Sequence, residues 1–279
     1  MWDSAEGLGM LSRVTRLIKS MPIDTWFPLG IYYTDLDESV LYKDIFVKRI
    51  KDLYQSSGQR RTEQDYSWTG DIHKVDMLHS DPIFEWLTRN IGLHAYEFLN
   101  ELGHDLSKVD LYFQRSWPVV GQKGQIVDRH AHHTAHLSAV YYVSIPKEGD
   151  PGEIRFFNDK KPNQLYSGIS SSMTSGYKSY NELNYGSALY PPIEGRLFLF
   201  PSTLTHEVEE NMTDEERISI SYDLVLTAAE NDTQKSPEFL MPSPSKWRKY
   251  DLHQTTPPTL QNDLETVPKM MDLPNPSLM

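Results

Sequence analysis

The chain of 279 residues contains no cysteine. This absence excludes a disulfide framework, and it excludes every metal site whose ligands are thiolates. A metal ion bound by this chain would therefore depend on histidine and carboxylate ligands.

Long hydrophobic segments are also missing. No stretch approaches the roughly 18 consecutive apolar residues that indicate a transmembrane helix. The first residues include Asp3 and Glu6, where a secretory signal peptide would be basic. We therefore expect a cytoplasmic protein that has no membrane as a partner.

Basic residues are fewer than acidic ones. The chain has 27 Lys and Arg against 39 Asp and Glu, which gives a net charge of −12. Nonspecific binding to nucleic acid or to an anionic membrane requires basic patches that release counterions. The charge balance argues against such partners, and it favours a small-molecule or cationic substrate.

The pattern of residues divides the chain into three parts. Residues 1–23 have apolar positions at helical spacing and predict an amphipathic helix. Residues 24–228 predict one folded domain, which is interrupted at about 159–190 by a loop insertion rich in Ser, Tyr, Asn and Gly. Residues 229–279 are rich in proline and predict an extended tail that cannot pack a core alone.

Apolar residues recur at helical spacing early in the predicted domain and at alternating positions later. The predicted elements are strand Trp26–Tyr33, helix Val40–Tyr54, helix Pro82–Leu102 ended by Gly103, and strands Val109–Val119, Leu137–Ile145, Gly152–Asn158, Arg196–Phe200 and Arg217–Leu226. Many short strands with preceding helices predict a mainly β fold with flanking helices. Its core would be a double-stranded β-helix, the jelly roll of cupin-like proteins.

A cluster of histidines lies between two of the predicted strands. From residue 129 it has the sequence Arg-His-Ala-His-His-Thr-Ala-His, and an isolated His206 follows far along the chain. A non-haem Fe(II) site in an oxygenase has three protein ligands and leaves positions open for oxygen and an organic cosubstrate. We predict that His130, His132 and His206 are these ligands.

Several further motifs follow one another along the domain. They are Trp26-Phe27-Pro28, Trp117, His130-Ala131-His132, Leu137 to Tyr142, Gly152 to Phe156, Gly195 to Pro201, and His206 with Arg217-Ile218-Ser219. In this order the chain resembles a bacterial and phage group of Fe(II)/2-oxoglutarate-dependent oxygenases over most of residues 24–227. The resemblance implies Fe(II) and 2-oxoglutarate as cofactors and O2 as a second substrate.

Position 132 departs from the wider superfamily, which has aspartate or glutamate there. Three neutral imidazoles leave one more unit of positive charge on the iron, although imidazole suits Fe(II). Alternatively, His132 supports the site indirectly while water or chloride fills the third position. Asp128 could supply a carboxylate, and a metal loop at His133-Thr134-Ala135 would resemble that of related halogenases. His136 is expected on the surface or behind the ligands.

The predicted strand that begins at Arg217 has two different faces, because successive side chains of a strand point to opposite sides. One face carries Arg217, Ser219 and Ser221, and the other carries Ile218, Ile220 and Tyr222. In a jelly roll the polar face would point inward. The resemblance implies that Arg217 binds the distal carboxylate of 2-oxoglutarate, assisted by Ser219 and by Tyr142 of an earlier strand.

These features predict an oxygenase that hydroxylates an unactivated C–H bond of a small molecule, amino-acid-like or a natural-product intermediate, with release of succinate and CO2. Halogenation, desaturation and cyclisation are related outcomes. The rival classes are a three-histidine cupin-type dioxygenase that needs no 2-oxoglutarate and a noncatalytic jelly-roll binding protein. Predicted substrate contacts are Gln114, Arg115, Trp117 and Arg155. A homodimer remains open.

Overall fold

The computed structural model describes residues 27–57, 65–160, 163, 177–181, 183–230 and 240–249. The helix predicted within residues 1–23 lies outside the described residues. The α-helices and strands are α1 Ser39–Ser56, α2 Glu85–Glu101, β1 Tyr32–Asp35, β2 Trp68–Thr69, β3 Val109–Gly121, β4 Val127–His130, β5 Leu137–Ser144, β6 Ile154–Phe157, β7 Ser187–Tyr190, β8 Arg196–Pro201, β9 His206–Val208 and β10 Arg217–Ala228.

The strands form two antiparallel sheets. The larger sheet has the strand order β1-β8-β5-β10-β3-β2, and the smaller one has the order β4-β9-β6-β7. Phe156 of the smaller sheet packs with Phe198 and Phe200 of the larger sheet in a buried cluster between them. Two facing antiparallel sheets of this kind form a jelly roll, so the predicted double-stranded β-helix core is confirmed.

The two α-helices cover the outer face of the larger sheet. Phe46 and Ile50 of α1 and Ile91 and Phe98 of α2 are buried in one cluster with the outward-facing residues of β5, β8 and β10. The buried residues of α2 recur at intervals of three and four, which places them on one side of the helix. The flanking helices of the predicted fold class are therefore present.

Local signals set both ends of the α2 region. The Asp81 side chain accepts a hydrogen bond from the Ile83 amide at 3.0 Å, and Pro82 follows it at the first position of a short 3₁₀ turn. Asp81 also accepts a 2.8 Å bond from Arg49 of α1, which connects the two helices. After α2, Gly103 has a φ of +82°, a left-handed conformation that ends the helix.

Strand β10 is central in the larger sheet and has the predicted two faces. Its apolar residues Ile218, Ile220 and Tyr222 are buried in the core beneath the helices. Arg217 and Ser219 instead line a cavity between the two sheets. The predicted alternation of this strand is thus confirmed, and it places the polar residues on the side of the smaller sheet.

Two predictions about strands differ from the structure. Of the predicted strand Trp26–Tyr33, Trp26 lies outside the described residues, and β1 begins only at Tyr32. Phe27 has a φ of 62°, and Pro28 has no amide hydrogen to donate to a neighbouring strand. The four short strands β2, β4, β7 and β9 were not predicted, since two to four residues are too few to show alternation. Strand β7 occupies the last residues of the predicted insertion at 159–190.

Part of the predicted tail lies against the larger sheet. The Ala228 amide donates to the Met241 carbonyl at 2.8 Å, and Ser243 is buried within 3.3 Å of the Tyr112 hydroxyl. Neither α-helix of the described ranges combines the length and the hydrophobicity that a membrane crossing requires.

We predict that Ile220→Ala lowers the free energy of unfolding by about 2–5 kcal/mol, because it leaves a cavity beneath the helices. Urea unfolding measures this change. The control is Val40→Ala on the exposed side of α1, where Val40 is 73% exposed, and we expect a change within about 0.5 kcal/mol there. Equal losses in both variants would contradict the assigned orientation of β10.

Candidate active site

Three histidines converge at one end of the cavity between the sheets. His130 ends β4 and His206 begins β9, and the antiparallel register of these strands sets the two residues directly opposite each other. His132 follows two residues after His130. One ring nitrogen from each of the three side chains lies within 4.8 Å of the other two. The residues predicted as metal ligands are therefore close enough to bind a single ion.

Hydrogen bonds on the outer side of the rings determine which nitrogens point to the centre. Nδ1 of His130 lies 2.7 Å from the Asp128 carbonyl, and Nδ1 of His206 lies 2.8 Å from the Leu204 carbonyl. A carbonyl oxygen can only accept, so each Nδ1 must carry the hydrogen. The Nε2 lone pairs of the neutral rings are then available to a metal ion.

Burial keeps the rings of His130 and His206 uncharged. Burial and then the neighbouring His130 ring lower the pKa of His206 to about 3. Burial is also the main cause that lowers the pKa of His130 below its ordinary value. Metal ligands must be neutral imidazoles, and the set therefore fits Fe(II), which imidazole ligands suit.

His132 differs from the other two because a carboxylate holds its Nδ1. Asp223 of β10 accepts from this nitrogen at 2.5 Å and from the Arg115 guanidinium at 2.5 Å through its other oxygen. Asp223 has no exposed surface. Burial would raise the pKa of the Asp223 carboxyl, but hydrogen bonds from His132 and Arg115 keep it below its usual value. Asp223 is therefore ionised.

The alternative ligands proposed from the sequence occupy other positions. The Asp128 carboxylate accepts from the Arg129 amide at 2.9 Å. His136 accepts a 2.8 Å bond from the Leu226 amide, and His133 lines the cavity. Within the described residues, the converging metal-ligand group is formed by the three predicted histidines and includes none of these.

The cavity extends from the histidines to Arg217 and has a volume of about 570 Å³. The Arg217 guanidinium is buried and donates through one nitrogen to the carbonyls of Pro151 and Glu209, the second at 2.9 Å. Its other terminal nitrogen has no partner among the described residues. A buried guanidinium that is held on one side and unpaired on the other fits an acidic ligand.

Two neighbouring hydroxyl groups are also unpaired. The Tyr142 and Ser67 hydroxyls are buried and have no hydrogen-bond partner among the described residues. Burial raises the pKa of Tyr142, so its hydroxyl remains a donor. Ser219 lines the cavity between Arg217 and the histidines. This end of the cavity therefore offers several donors to a carboxylate, as 2-oxoglutarate requires.

Two glycines leave space for the guanidinium. A Cβ atom at Gly152 would lie 2.6 Å from an Arg217 nitrogen and 2.3 Å from the Glu209 carbonyl, and Gly152 has a φ of +79°. A Cβ atom at Gly121 would lie 3.2 Å from the unpaired Arg217 nitrogen. Larger residues at these positions would displace the arginine.

The four predicted substrate contacts divide into two pairs. Trp117 and Arg115 line the cavity, and the Trp117 ring stacks on the His132 ring at 5.6 Å. Gln114 lies outside the cavity lining and bonds to Thr134, while Arg155 forms ion pairs with Glu207 and Glu209. Gln114 is the extra residue of a β-bulge opposite β10, whereas Arg115 continues the alternation of Val119 and Trp117 on the face that lines the cavity.

Sequence reasoning missed Asp223, Ser67 and the two glycines. Asp223 was detectable in principle, because it continues the alternating polar face that begins at Arg217 and is a charged residue in an apolar strand. Ser67 and Gly121 carry no comparable signal. The pairing of β10 with β3 sets Gly121 opposite Arg217, and the pairing of β2 with β3 brings Ser67 beside Gly121.

Residues 115–223 match the family model described as "Putative 2OG-Fe(II) oxygenase". No curated relative matches the chain.

Similar solved structures include a Pseudomonas putida prolyl-4-hydroxylase at 15% identity, covering 71% of this chain and 92% of that chain with a TM-score of 0.45. The non-heme alpha ketoglutarate dependent carbocyclase SnoK from nogalamycin biosynthesis has 14% identity, with 72% and 82% covered and a TM-score of 0.48. HygX from Streptomyces hygroscopicus, with nickel and 2-oxoglutarate bound, has 12% identity, with 80% and 87% covered and a TM-score of 0.47.

We predict that His206→Ala abolishes stoichiometric Fe(II) binding, because only two of the three protein ligands remain. When a metal ligand loses only its hydrogen-bond partner, metal affinity falls about 10- to 100-fold. We expect the loss of the ligand itself to lower the affinity further. Anaerobic titration with Fe(II) measures it. His133→Ala is the matched control, since His133 lines the cavity outside the converging group. Retained binding in His206→Ala together with lost binding in His133→Ala would contradict the assignment.

Proposed function

We propose, from the match of residues 115–223 to the 2OG-Fe(II) oxygenase family model, that the protein hydroxylates an unactivated C–H bond of a small molecule. The family uses Fe(II), 2-oxoglutarate and O2, and the reaction would release succinate and CO2. One observation carries the proposal. A three-histidine group shares a cavity with a buried arginine and a buried tyrosine that have unpaired polar atoms.

His130, His132 and His206 would hold the metal, each through the nitrogen that its outer hydrogen bond leaves available. Bound Fe(II) supplies the redox chemistry that activates O2, with 2-oxoglutarate as the electron source. The protein contributes fixed ring orientations, because each Nδ1 is already bonded to a carbonyl or carboxylate oxygen. Fixed ligands reduce the reorganisation that metal binding would otherwise require.

At the other end of the cavity, Arg217 would bind the distal carboxylate of 2-oxoglutarate. Its bonds to backbone carbonyls hold the guanidinium in place before the ligand enters. The Tyr142 hydroxyl and Ser219 would donate further bonds to the same carboxylate. Each hydrogen bond to a charged group stabilises the complex by about 1.5–3 kcal/mol. Arg217, Tyr142 and Ser219 together can therefore select a ligand with two negative charges.

Apolar side chains also line the cavity. They include Val119, Val140, Ile154, Phe200 and Val208. Such a lining excludes water and strengthens the electrostatic interactions of the polar groups within it. This supports a reaction in which a reactive oxidant must be kept from solvent.

The substrate would enter beside Arg115 and Asp71. One Asp71 carboxylate oxygen and the Arg115 Nε are buried and unpaired among the described residues, and both residues line the cavity. An acceptor next to a donor matches the ammonium and carboxylate of an amino-acid-like molecule. This arrangement favours an amino-acid-like substrate over a natural-product intermediate, the two classes that the sequence analysis leaves open.

The three-imidazole ligand set also favours a second candidate, a cupin-type dioxygenase in which the substrate binds iron without 2-oxoglutarate. The two functions predict different spectra. We expect that adding 2-oxoglutarate to the anaerobic Fe(II) protein produces a weak visible charge-transfer band. Succinate, which has no keto group, is the control and should give none. Bound iron without a band would favour the second candidate.

We predict that Tyr142→Phe weakens 2-oxoglutarate binding about 5- to 30-fold, equivalent to about 1–2 kcal/mol. The ligand-free protein should keep its stability, because the Tyr142 hydroxyl makes no bond within the described residues. Titration of the charge-transfer band and urea unfolding measure the two quantities.

Tyr141→Phe is the matched control for this experiment. Tyr141 is buried on the opposite face of β5, in the core beneath the helices, and its hydroxyl bonds to Ser39. We expect Tyr141→Phe to reduce stability and to leave 2-oxoglutarate affinity unchanged. The reverse result would show that the Tyr142 hydroxyl does not contact the cosubstrate.

A further inference from the structure

We propose that Asp223 is a positioning residue that supplies negative charge to the metal through His132. This inference deepens the proposed function and rests on it. In the common facial triad of non-haem Fe(II) oxygenases, two histidines and one carboxylate bind the metal directly. Here the three ligands are imidazoles, and a carboxylate stands one ring farther from the ion.

Among the acidic residues of the described site, Asp223 has the contacts that best fit this role. Its Oδ1 lies 2.5 Å from Nδ1 of His132 and 3.2 Å from the Ser138 hydroxyl. The other two histidines bond to neutral backbone carbonyls instead. His132 is therefore the one ligand of the group whose partner carries a full charge.

A carboxylate partner increases the electron donation of its histidine. The Nδ1 hydrogen is shared with an anion, so the ring gains imidazolate character and becomes a more basic ligand. The bond is buried, where charges interact more strongly than in water. Part of the charge that a coordinating aspartate would supply thus reaches the metal through the ring.

Arg115 opposes this effect because it binds the second oxygen of Asp223 at 2.5 Å. The carboxylate therefore divides its charge between a cation and a metal ligand. An ion pair alone is a weak reason to bury Asp223 completely, since desolvation offsets most of the gain from pairing. Contact with His132 gives the buried carboxylate a function at the metal.

The regular pairing of β10 with β3 makes the arrangement possible. Asp223 is paired with Arg115 across the sheet, and the register shifts only beyond this pair, between Asp223 and Leu224. Arg115 therefore shares the inward face of β3 with Trp117 and Val119 and points into the cavity beside Asp223. Gln114, the next residue, bonds to the loop that follows the ligands.

The test compares the Fe-loaded full-length protein with Asp223→Asn and Arg115→Gln. Asp223→Asn keeps the side-chain shape and removes the charge. We expect an Fe(II) affinity about 10- to 100-fold lower and a higher Fe(III)/Fe(II) midpoint potential. The substitution should weaken Fe(III) binding more than Fe(II) binding. Each factor of ten between these two losses of affinity corresponds to a rise of about 59 mV in the midpoint potential.

Arg115→Gln breaks the same ion pair but leaves the Asp223 charge to His132. We expect its midpoint potential to fall, opposite to the shift in Asp223→Asn. A merely structural role of the pair would shift both variants in one direction, or neither. Either of those results would overturn the proposal. If Asp223→Asn does not fold, the sign of the shift in Arg115→Gln decides alone.

The wild-type titration separates this inference from the proposed function. Wild-type protein that binds no Fe(II) would overturn both. Wild-type protein that binds one Fe(II), with an unchanged potential in Asp223→Asn, would overturn only the role of Asp223. Thermal unfolding of the metal-free variants shows whether either substitution acts through stability.

Discussion

The alternation of side chains along β10 separates a dry core from a polar cavity. Ile218, Ile220 and Tyr222 are fully or almost fully buried beneath the helices, and burying each such side chain contributes about 1.5–3 kcal/mol. A shift of register by one residue would exchange the two faces. The hydrophobic core therefore also fixes Arg217 in the cavity and Asp223 behind His132, so the energy that specifies the fold also specifies the site.

The cavity contains polar atoms that the fold itself does not pair. The free nitrogen of Arg217 and the Tyr142 hydroxyl have no partner in the described residues. Both residues line the cavity of about 570 Å³, so a ligand can reach them without breaking a hydrogen bond within the protein. A carboxylate bound there would raise the stability of the folded protein by mass action.

The sequence predicted the chemistry of the site better than its supporting contacts. His130 and His206 were identified by residue type and spacing, and Arg217 by its place on an alternating strand. The short strands that set the two histidines opposite each other have no alternation, so their pairing follows only from the three-dimensional structure. Gln114 shows the same limit, because the one-residue bulge that it forms opposite β10 follows only from the pairing of the two strands. Contacts across 91 residues, such as that of His132 with Asp223, leave no local pattern.

The charge balance of the cavity bears on which substrates it attracts. The charged residues of its described lining are Asp71, Asp128, Arg115 and Arg217, and Asp223 adds a third negative charge behind His132. Fe(II) and 2-oxoglutarate carry equal and opposite charges, so together they leave this balance unchanged. The loaded cavity then has more negative than positive groups, in a chain whose net charge is −12. Such a field attracts a cationic group towards Asp71, and it repels anions that do not bind to the donors around Arg217. The positions of these charges therefore determine where the cosubstrate and the substrate bind.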